Sequence, residues 1–210
     1  MDDLTSTGGR IPVPLHPDQI EQAAAMLARA FRDEPLSRFV FPDAARRRQH
    51  LLALFAWWLR DALRDGEGFC LGPVLAVAIW TPAQATPQTP PEPVEATEAA
   101  WRDGTWSLTA EERQRLERFG GHLDTIHARL MPEPHAALIA LGVEPAHQGR
   151  GLGTALMAPM LARLTAAGTP CYLDTNTARN VRFYERQGFR VLEEGVVPGS
   201  SLRNWAMGRG

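Results

Sequence analysis

Three glycines, Gly149, Gly151 and Gly153, occupy alternate positions in the stretch HQGRGLGTAL of this 210-residue chain. An apolar run of strand-like character precedes them and an amphipathic run follows. A glycine-rich turn that opens a helix gathers backbone N–H groups at the positive end of the helix dipole, so its natural ligand is a phosphate oxygen. Asn180 and Tyr184 lie four residues apart in ARNVRFYERQGF. They therefore share one helix face, with a phenol able to give up a proton. Asp174 falls at the end of the apolar run PCYLD, where open α/β sheets carry functional groups. Its competing use is to cap a turn.

Two familiar phosphate loops do not fit. A dinucleotide fingerprint running from Gly149 and Gly151 would need glycine where Thr154 stands. A nucleoside triphosphate loop needs a lysine, and all 22 basic residues here are arginine. The same absence excludes lysine Schiff-base chemistry. Six histidines invite a metal reading, but His122 and His127 are five apart and share no helix face, so no metal is expected. The formal net charge of -2 gives no reason to expect nucleic acid as a partner. Cys70 and Cys171 sit in apolar runs and read as core thiols. With neither a signal-peptide pattern nor a run approaching ~20 apolar residues, a soluble cytoplasmic protein that does not engage membranes is expected.

These residues must be positioned by surrounding elements. Residues 1–9 are small and polar and read as disordered, and IPVPL as a short edge strand where proline is tolerated. HPDQIEQAAAMLARAF repeats its apolar residues at helical spacing, with Ile20, Ala24, Leu27 and Phe31 on one face. DEPLSRFVFPD interrupts the pattern with Pro35 and Pro42, and AARRRQHLLALFAWWLRDALRDG resumes it up to Gly66. The ARRRQH start reads as exposed, or as able to meet a phosphate. GFCLGPVLAVAIWTP reads as two strands around Gly72-Pro73. Residues 81–134 form a proline-rich connector and a helical insertion, the expected acceptor pocket. In it Thr109 and Glu112 have capping-box spacing and Gly120-Gly121 reads as a break. Trp57, Trp58 and Trp80 read as core, and Trp101 and Trp106 as core or an aromatic acceptor wall. HAALIALGV, GTALMAPMLARLTAAG and PCYLDTN then make a right-handed βαβ unit, followed by the Asn180 helix and a closing strand pair around a Pro-Gly turn. One domain spanning 10–210 is the expected organisation.

The spacing Val143-x-Pro145-x-x-Gln148-x-x-Gly151-x-Gly153 resembles the acetyl-coenzyme A signature of the GNAT superfamily of N-acetyltransferases. The resemblance implies the GNAT acyltransferase fold, an α/β architecture whose mixed central sheet has a splayed cofactor strand and is flanked by helices. It implies that acetyl-CoA is the acyl donor. Its arm would pair along Leu141, Gly142 and Val143 beside a bulge, and its pyrophosphate would rest on Gln148, Gly149, Arg150, Gly151, Leu152, Gly153 and Thr154. His147, in the same loop, is either a phosphate contact or solvated. Asn180 would hydrogen-bond the coenzyme and Tyr184 would protonate the departing thiolate. Within the superfamily, AFRDEPLSRFV, VAIWTP, RNVRFYERQGF and VPGSSLRNWAM are similar to segments of the puromycin-acetyltransferase subfamily.

The activity implied is transfer of an acetyl group to a primary amine of a small molecule by direct attack. The alternatives are peptide amines as acceptors and a non-catalytic acyl-CoA sensor. A phenol near pKa 10 protonating a thiolate whose acid is near 8.5 is uphill by about 2 kcal/mol. Backbone N–H groups at Leu141 or Val143 would steady the oxygen that gains charge. Asp174 is the candidate base, and Glu144 reads as solvated loop. An α-amine near pKa 7.8 is roughly one part in seven neutral at pH 7, whereas an alkyl amine near 10.4 is almost wholly protonated, which favours the α-amine of an aminoacyl compound.

Overall fold

The computed structural model describes residues 11–84 and 108–210; residues 1–9, Trp101, Trp106 and most of the connector lie outside the described residues. In chain order the elements are β1 (Val13–Pro14), α1 (Ile20–Phe31), α2 (Pro35–Val40), α3 (Ala44–Asp65), β2 (Glu67–Leu71) and β3 (Ala76–Gln84). After the connector come α4 (Ala110–Leu130), β4 (His135–Val143), α5 (Leu152–Ala166), β5 (Cys171–Thr175), α6 (Ala178–Glu185), β6 (Arg190–Val196) and β7 (Arg203–Arg209). The strands form one seven-stranded sheet in the order β1-β2-β3-β4-β5-β7-β6. Every neighbouring pair is antiparallel except β4 and β5, the parallel pair expected of a βαβ unit. The edge strand at Val13–Pro14 and the closing β6–β7 pair follow the sequence reading. Gly199, in the turn between β6 and β7, takes a left-handed φ of 68°.

Two apolar layers cover the sheet. On one face α1 and α3 bury Met26, Leu27, Phe55 and Leu59 against Cys70, Val77, Ile79 and Ala140. On the other, α5 and α6 bury Leu156, Met157, Met160, Leu161 and Tyr184 against Leu71, Ala78, Leu138, Leu173 and Met207. Helix α4 joins the first face further along, where Ile126 meets Tyr172 and Ala206. Both cysteines are free and buried, and burial pushes Cys171 up to about 12, which leaves it an inert core thiol.

Four local readings are corrected. Gly120-Gly121 does not break the helix, because α4 runs unbroken from Ala110 to Leu130. Its capping box is made, Thr109 Oγ1 accepting from the Glu112 amide at 3.2 Å and Glu112 from the Thr109 amide at 2.8 Å. Packing of Phe119 and Ile126 outweighs a glycine penalty of about 1 kcal/mol each. DEPLSRFVFPD contains a helix of its own, since Pro35 stands at the first turn, where its missing N–H costs nothing. ARRRQH is not simply exposed. Arg47 and His50 are buried, and the Arg47 guanidinium donates to the carbonyls of Phe41 and Pro42 at 2.7 and 2.8 Å. Finally, Glu144 is no free loop carboxylate: Arg29 of α1 grips it through Nη2 at 2.7 Å and through Nε at 3.1 Å.

Candidate active site

The site begins where the sheet stops pairing. β4 and β5 are joined only at Ala136–Cys171 and Ala137–Tyr172, although β4 continues to Val143 and β5 to Thr175. The cause lies on the β3 side. There Trp80 faces Leu138 and Ile79 faces Ala140, so Ile139 is the extra residue of a bulge, and a bulged strand bends away from its neighbour. Ile139 is left 42% exposed at the bend. The stretch beyond Ala137 opens a slot of about 20 Å at ~3.3 Å per residue.

Alternation decides what faces the slot. The Glu144 amide bonds to the Leu75 carbonyl at 2.8 Å, which places residue 144 and, by the two-residue period, Gly142 on the β3 side. The N–H and C=O groups of Leu141 and Val143 therefore point into the gap. Gly142 serves packing instead, because a Cβ there would collide with the Leu27 side chain of α1. The three sequence-predicted strand residues thus divide into two that face the slot and one that lets α1 approach.

After Val143 a turn at Pro145–His147 leads into the loop. The Gln148 side chain donates through Nε2 to the Val143 carbonyl at 3.2 Å and locks loop to strand. Gly149 and Gly151 have φ of 75° and 79°, which favour glycine, and a Cβ at either would meet nothing. Gly153 is needed for a different reason: its Cβ position lies 3.3 Å from Phe183 Cζ, so α6 packs on the start of α5. Gln187 Nε2 reinforces that contact by donating to Thr154 Oγ1 at 3.3 Å. Helix α5 has no side-chain cap and no acidic residue in its first turn. Among the described residues, the amides from Gly149 to Thr154 find no hydrogen-bond partner. Arg150 is exposed beside them, and Nδ1 of half-buried His147 also lacks a partner there. Six free amides, a helix N-terminus and an arginine fit a pyrophosphate.

Helix α6 starts at Thr177, whose hydroxyl accepts from the Asn180 amide at 3.2 Å. Tyr184 is 8% exposed and touches Phe183 and Phe189 edge-on, with centroids at 5.1 and 5.9 Å. Burial, then the charge of Glu34, push its phenol well above the ordinary value. Tyr184 therefore holds its proton throughout the neutral range.

Asp174 lies on the opposite sheet face from Tyr184, with Tyr172 and α4. Its Oδ1 accepts from Tyr172 Oη and from Asn204 Nδ2, both at 3.1 Å. Burial pushes the carboxyl up to about 6, against the pull of those two donors, and Asp124 adds to the rise. Glu34, which carried no role in the sequence reading, is a second carboxyl whose charge acts on Tyr184. It is the residue before α2, makes no capping bond, and burial raises its pKa while the exposed Arg179 opposes the shift. Its charge adds to the rise of the Tyr184 phenol. A signal existed: glutamate is a poor N-cap, so Glu34 ahead of Pro35 has a use other than capping.

Among the described residues no group of three or more His, Cys, Asp or Glu is placed to hold a metal ion, and no helix is long and apolar enough to cross a membrane.

Known proteins resemble this chain to different extents. A mycothiol acetyltransferase of Streptomyces avermitilis is 36% identical over 100 residues, a stretch that is 46% of this chain and 31% of that relative. The chain thus spans about a third of the length of that relative. An acetyltransferase of Corynebacterium glutamicum, described as histone acetyltransferase HPA2 and related acetyltransferase, superposes with a TM-score of 0.65 at 19% identity, covering 95% of this chain and 94% of the other. Arylalkylamine N-acetyltransferase 2 of Aedes aegypti superposes at 0.64 with 14% identity, covering 94% and 97%. At such identities the superpositions speak for the fold. The Acetyltransferase (GNAT) family matches residues 74–189, the stretch that carries β3, the bulged β4, the glycine loop and Tyr184, and the chain belongs to that family.

Proposed function

We propose that the chain is an acetyl-CoA-dependent N-acetyltransferase that acetylates a primary amine of a small molecule by direct attack. The family uses acetyl-CoA generally. The observation that carries the reading is the open slot between β4 and β5, closed at one end by a loop of free amides and flanked by Tyr184. Acetyl-CoA would supply the activated acyl thioester. The amides of Gly149 to Thr154, with Arg150, would hold its phosphates, and Leu141 and Val143 would hold its arm. Asn180, on the Tyr184 face of α6, would add a hydrogen bond to the coenzyme.

Three groups of the chain then manage charge. A backbone N–H of Leu141 or Val143 stabilises the oxygen on which negative charge grows. Tyr184 Oη holds the proton that the departing sulfur requires, and the burial that raises the phenol acts equally on a thiolate in the same slot, so the two stay matched. Asp174 accepts the amine proton, directly or through water, because a carboxyl near pH 6 is ionised at neutral pH yet basic enough to act. Glu34 adds negative potential that favours an incoming ammonium.

A small acceptor is supported by the long segment before β4, whose helix α4 walls the Asp174 side of the sheet. The relative named above is a mycothiol acetyltransferase, which points the same way. The narrower likeness to the puromycin-acetyltransferase subfamily rests on the sequence segments and suggests an aminoacyl α-amine. Thiol release from acetyl-CoA with a panel of amines tests this. Faster release with amino-acid amides than with lysine-like alkyl amines at neutral pH is expected. Release driven only by peptides would overturn the small-molecule reading, and no amine-dependent release would overturn the function.

A further inference from the structure

We propose that Tyr172 and Asn204 are positioning residues for Asp174: they pin Oδ1 from two strands and leave Oδ2 for the acceptor amine. The inference rests on the reading of Asp174 as proton acceptor. Both donors reach the same oxygen, Tyr172 from two residues earlier on β5 and Asn204 from β7. Each donor is itself held. Asn204 is 1% exposed, and its Oδ1 accepts from Asn176 Nδ2 at 3.3 Å, so its amide is turned with Nδ2 toward Asp174. Asn176 also donates to the Arg203 carbonyl at 2.8 Å.

The Tyr172 ring is fixed by a second chain of contacts. His127 of α4 stacks on it with centroids 4.1 Å apart and planes 4° from parallel. His127 Nε2 lies 2.5 Å from His135 Nε2, and His135 Nδ1 lies 2.7 Å from the Glu133 carbonyl. A carbonyl only accepts, so His135 Nδ1 donates to it, and the two Nε2 atoms share the hydrogen bond between the rings. Burial, with His135 beside it, pushes His127 down to about 4, so the ring stacked on Tyr172 is neutral. The result is a brace from α4 and β4 through the Tyr172 ring to one oxygen of Asp174.

Other charges face this brace. Asp124 of α4 acts on Asp174, while Glu193 of β6 and Arg129 of α4, paired at 2.5 Å, act on Tyr172 with opposite signs. Burial holds the Tyr172 phenol far above its ordinary value, so it donates at every working pH. A donated hydrogen bond favours the ionised carboxyl, and its loss makes the carboxyl harder to ionise.

The test uses the full chain with Tyr172→Phe and Asn204→Leu, reading the Asp174 carboxyl by carbon-13 NMR over pH with Asp174→Asn to assign it. Alongside, kcat/KM is followed against pH with acetyl-CoA and phenylalaninamide. Each variant is expected to move the carboxyl titration upward by about half a pH unit or more, and the acid limb of kcat/KM with it, leaving KM for acetyl-CoA unchanged. A brace that only holds strands together would lower the unfolding temperature and leave both titrations in place, which overturns the proposal. Should Asn204→Leu fail to fold, Tyr172→Phe decides alone. An Asp174→Asn variant with wild-type rate and profile removes Asp174 as proton acceptor and the positioning with it. An inactive Asp174→Asn beside an unmoved Tyr172→Phe profile overturns the positioning only.

Discussion

The two sides of the β4–β5 gap are built from different materials. The proposed coenzyme side is backbone: free amides from Gly149 to Thr154, and the peptide groups of Leu141 and Val143 exposed by a bulge. The proposed acceptor side is side chains: Asp174, Tyr172 and Asn204, drawn from β5 and β7 and joined by hydrogen bonds. Backbone geometry constrains which residues can occupy it, so the coenzyme side prints a contiguous motif. Side-chain geometry is satisfied by many combinations from distant segments, so the acceptor side prints none.

That contrast predicts separable losses. Tyr184→Phe removes the proton from the slot and is expected to lower kcat by about 100-fold or more with acetyl-CoA binding unchanged. Equal losses in binding and turnover would show that the hydroxyl serves coenzyme binding and not proton transfer. Asp174→Asn should lower kcat/KM by about 10- to 100-fold and abolish the fall in rate below about pH 6. The same variant should be more stable than the parent at pH 7. A carboxyl whose folded pKa is near 6 binds its proton better folded than unfolded, where it titrates near 3.9, so ionising it costs stability. The gain is roughly 1–3 kcal/mol at pH 7 and fades as pH falls toward 4, read by thermal unfolding across that range.

On the coenzyme side, Gly151→Ala forces a residue with a Cβ into a φ of 79°. A strain of about 1–2 kcal/mol should weaken acetyl-CoA by roughly tenfold in calorimetry while KM for the amine stays put. Glu34→Gln should raise KM for a cationic amine a few-fold through lost attraction, with kcat nearly unchanged; a collapse of kcat instead would transfer the base to Glu34. The smallest effect belongs to Arg29→Ala. Its exposed ion pair with Glu144 is worth under about 1 kcal/mol, so chemical denaturation should barely register it.

The same contrast governs what was legible in the sequence. The β4–α5–β5 unit, the α4 capping box, the closing strand pair and the glycine loop all follow from local spacing, and the structure confirms each. Gly120-Gly121 misleads because packing outweighs propensity in a helix anchored at Phe119 and Ile126. Glu144 and Arg47 mislead because their partners are fixed by tertiary approach, Arg29 from α1 and the carbonyls that precede α3. Glu34 and Asn204 could not be paired with Tyr184 and Asp174 from sequence alone. Only the folded sheet brings Asn204 to Asp174 across 30 positions and lets the charge of Glu34 act on Tyr184 across 150.

The central claim is that the slot between β4 and β5 and its loop hold acetyl-CoA. Isothermal titration of the full chain with acetyl-CoA, and separately with adenosine 3′,5′-bisphosphate, tests it most directly. The account predicts saturable binding of acetyl-CoA that is clearly tighter than that of the nucleotide, since the arm adds its own contacts along Leu141 and Val143, and weakened in Gly151→Ala. Binding of acetyl-CoA no tighter than the nucleotide, or unaltered by Gly151→Ala, would contradict it.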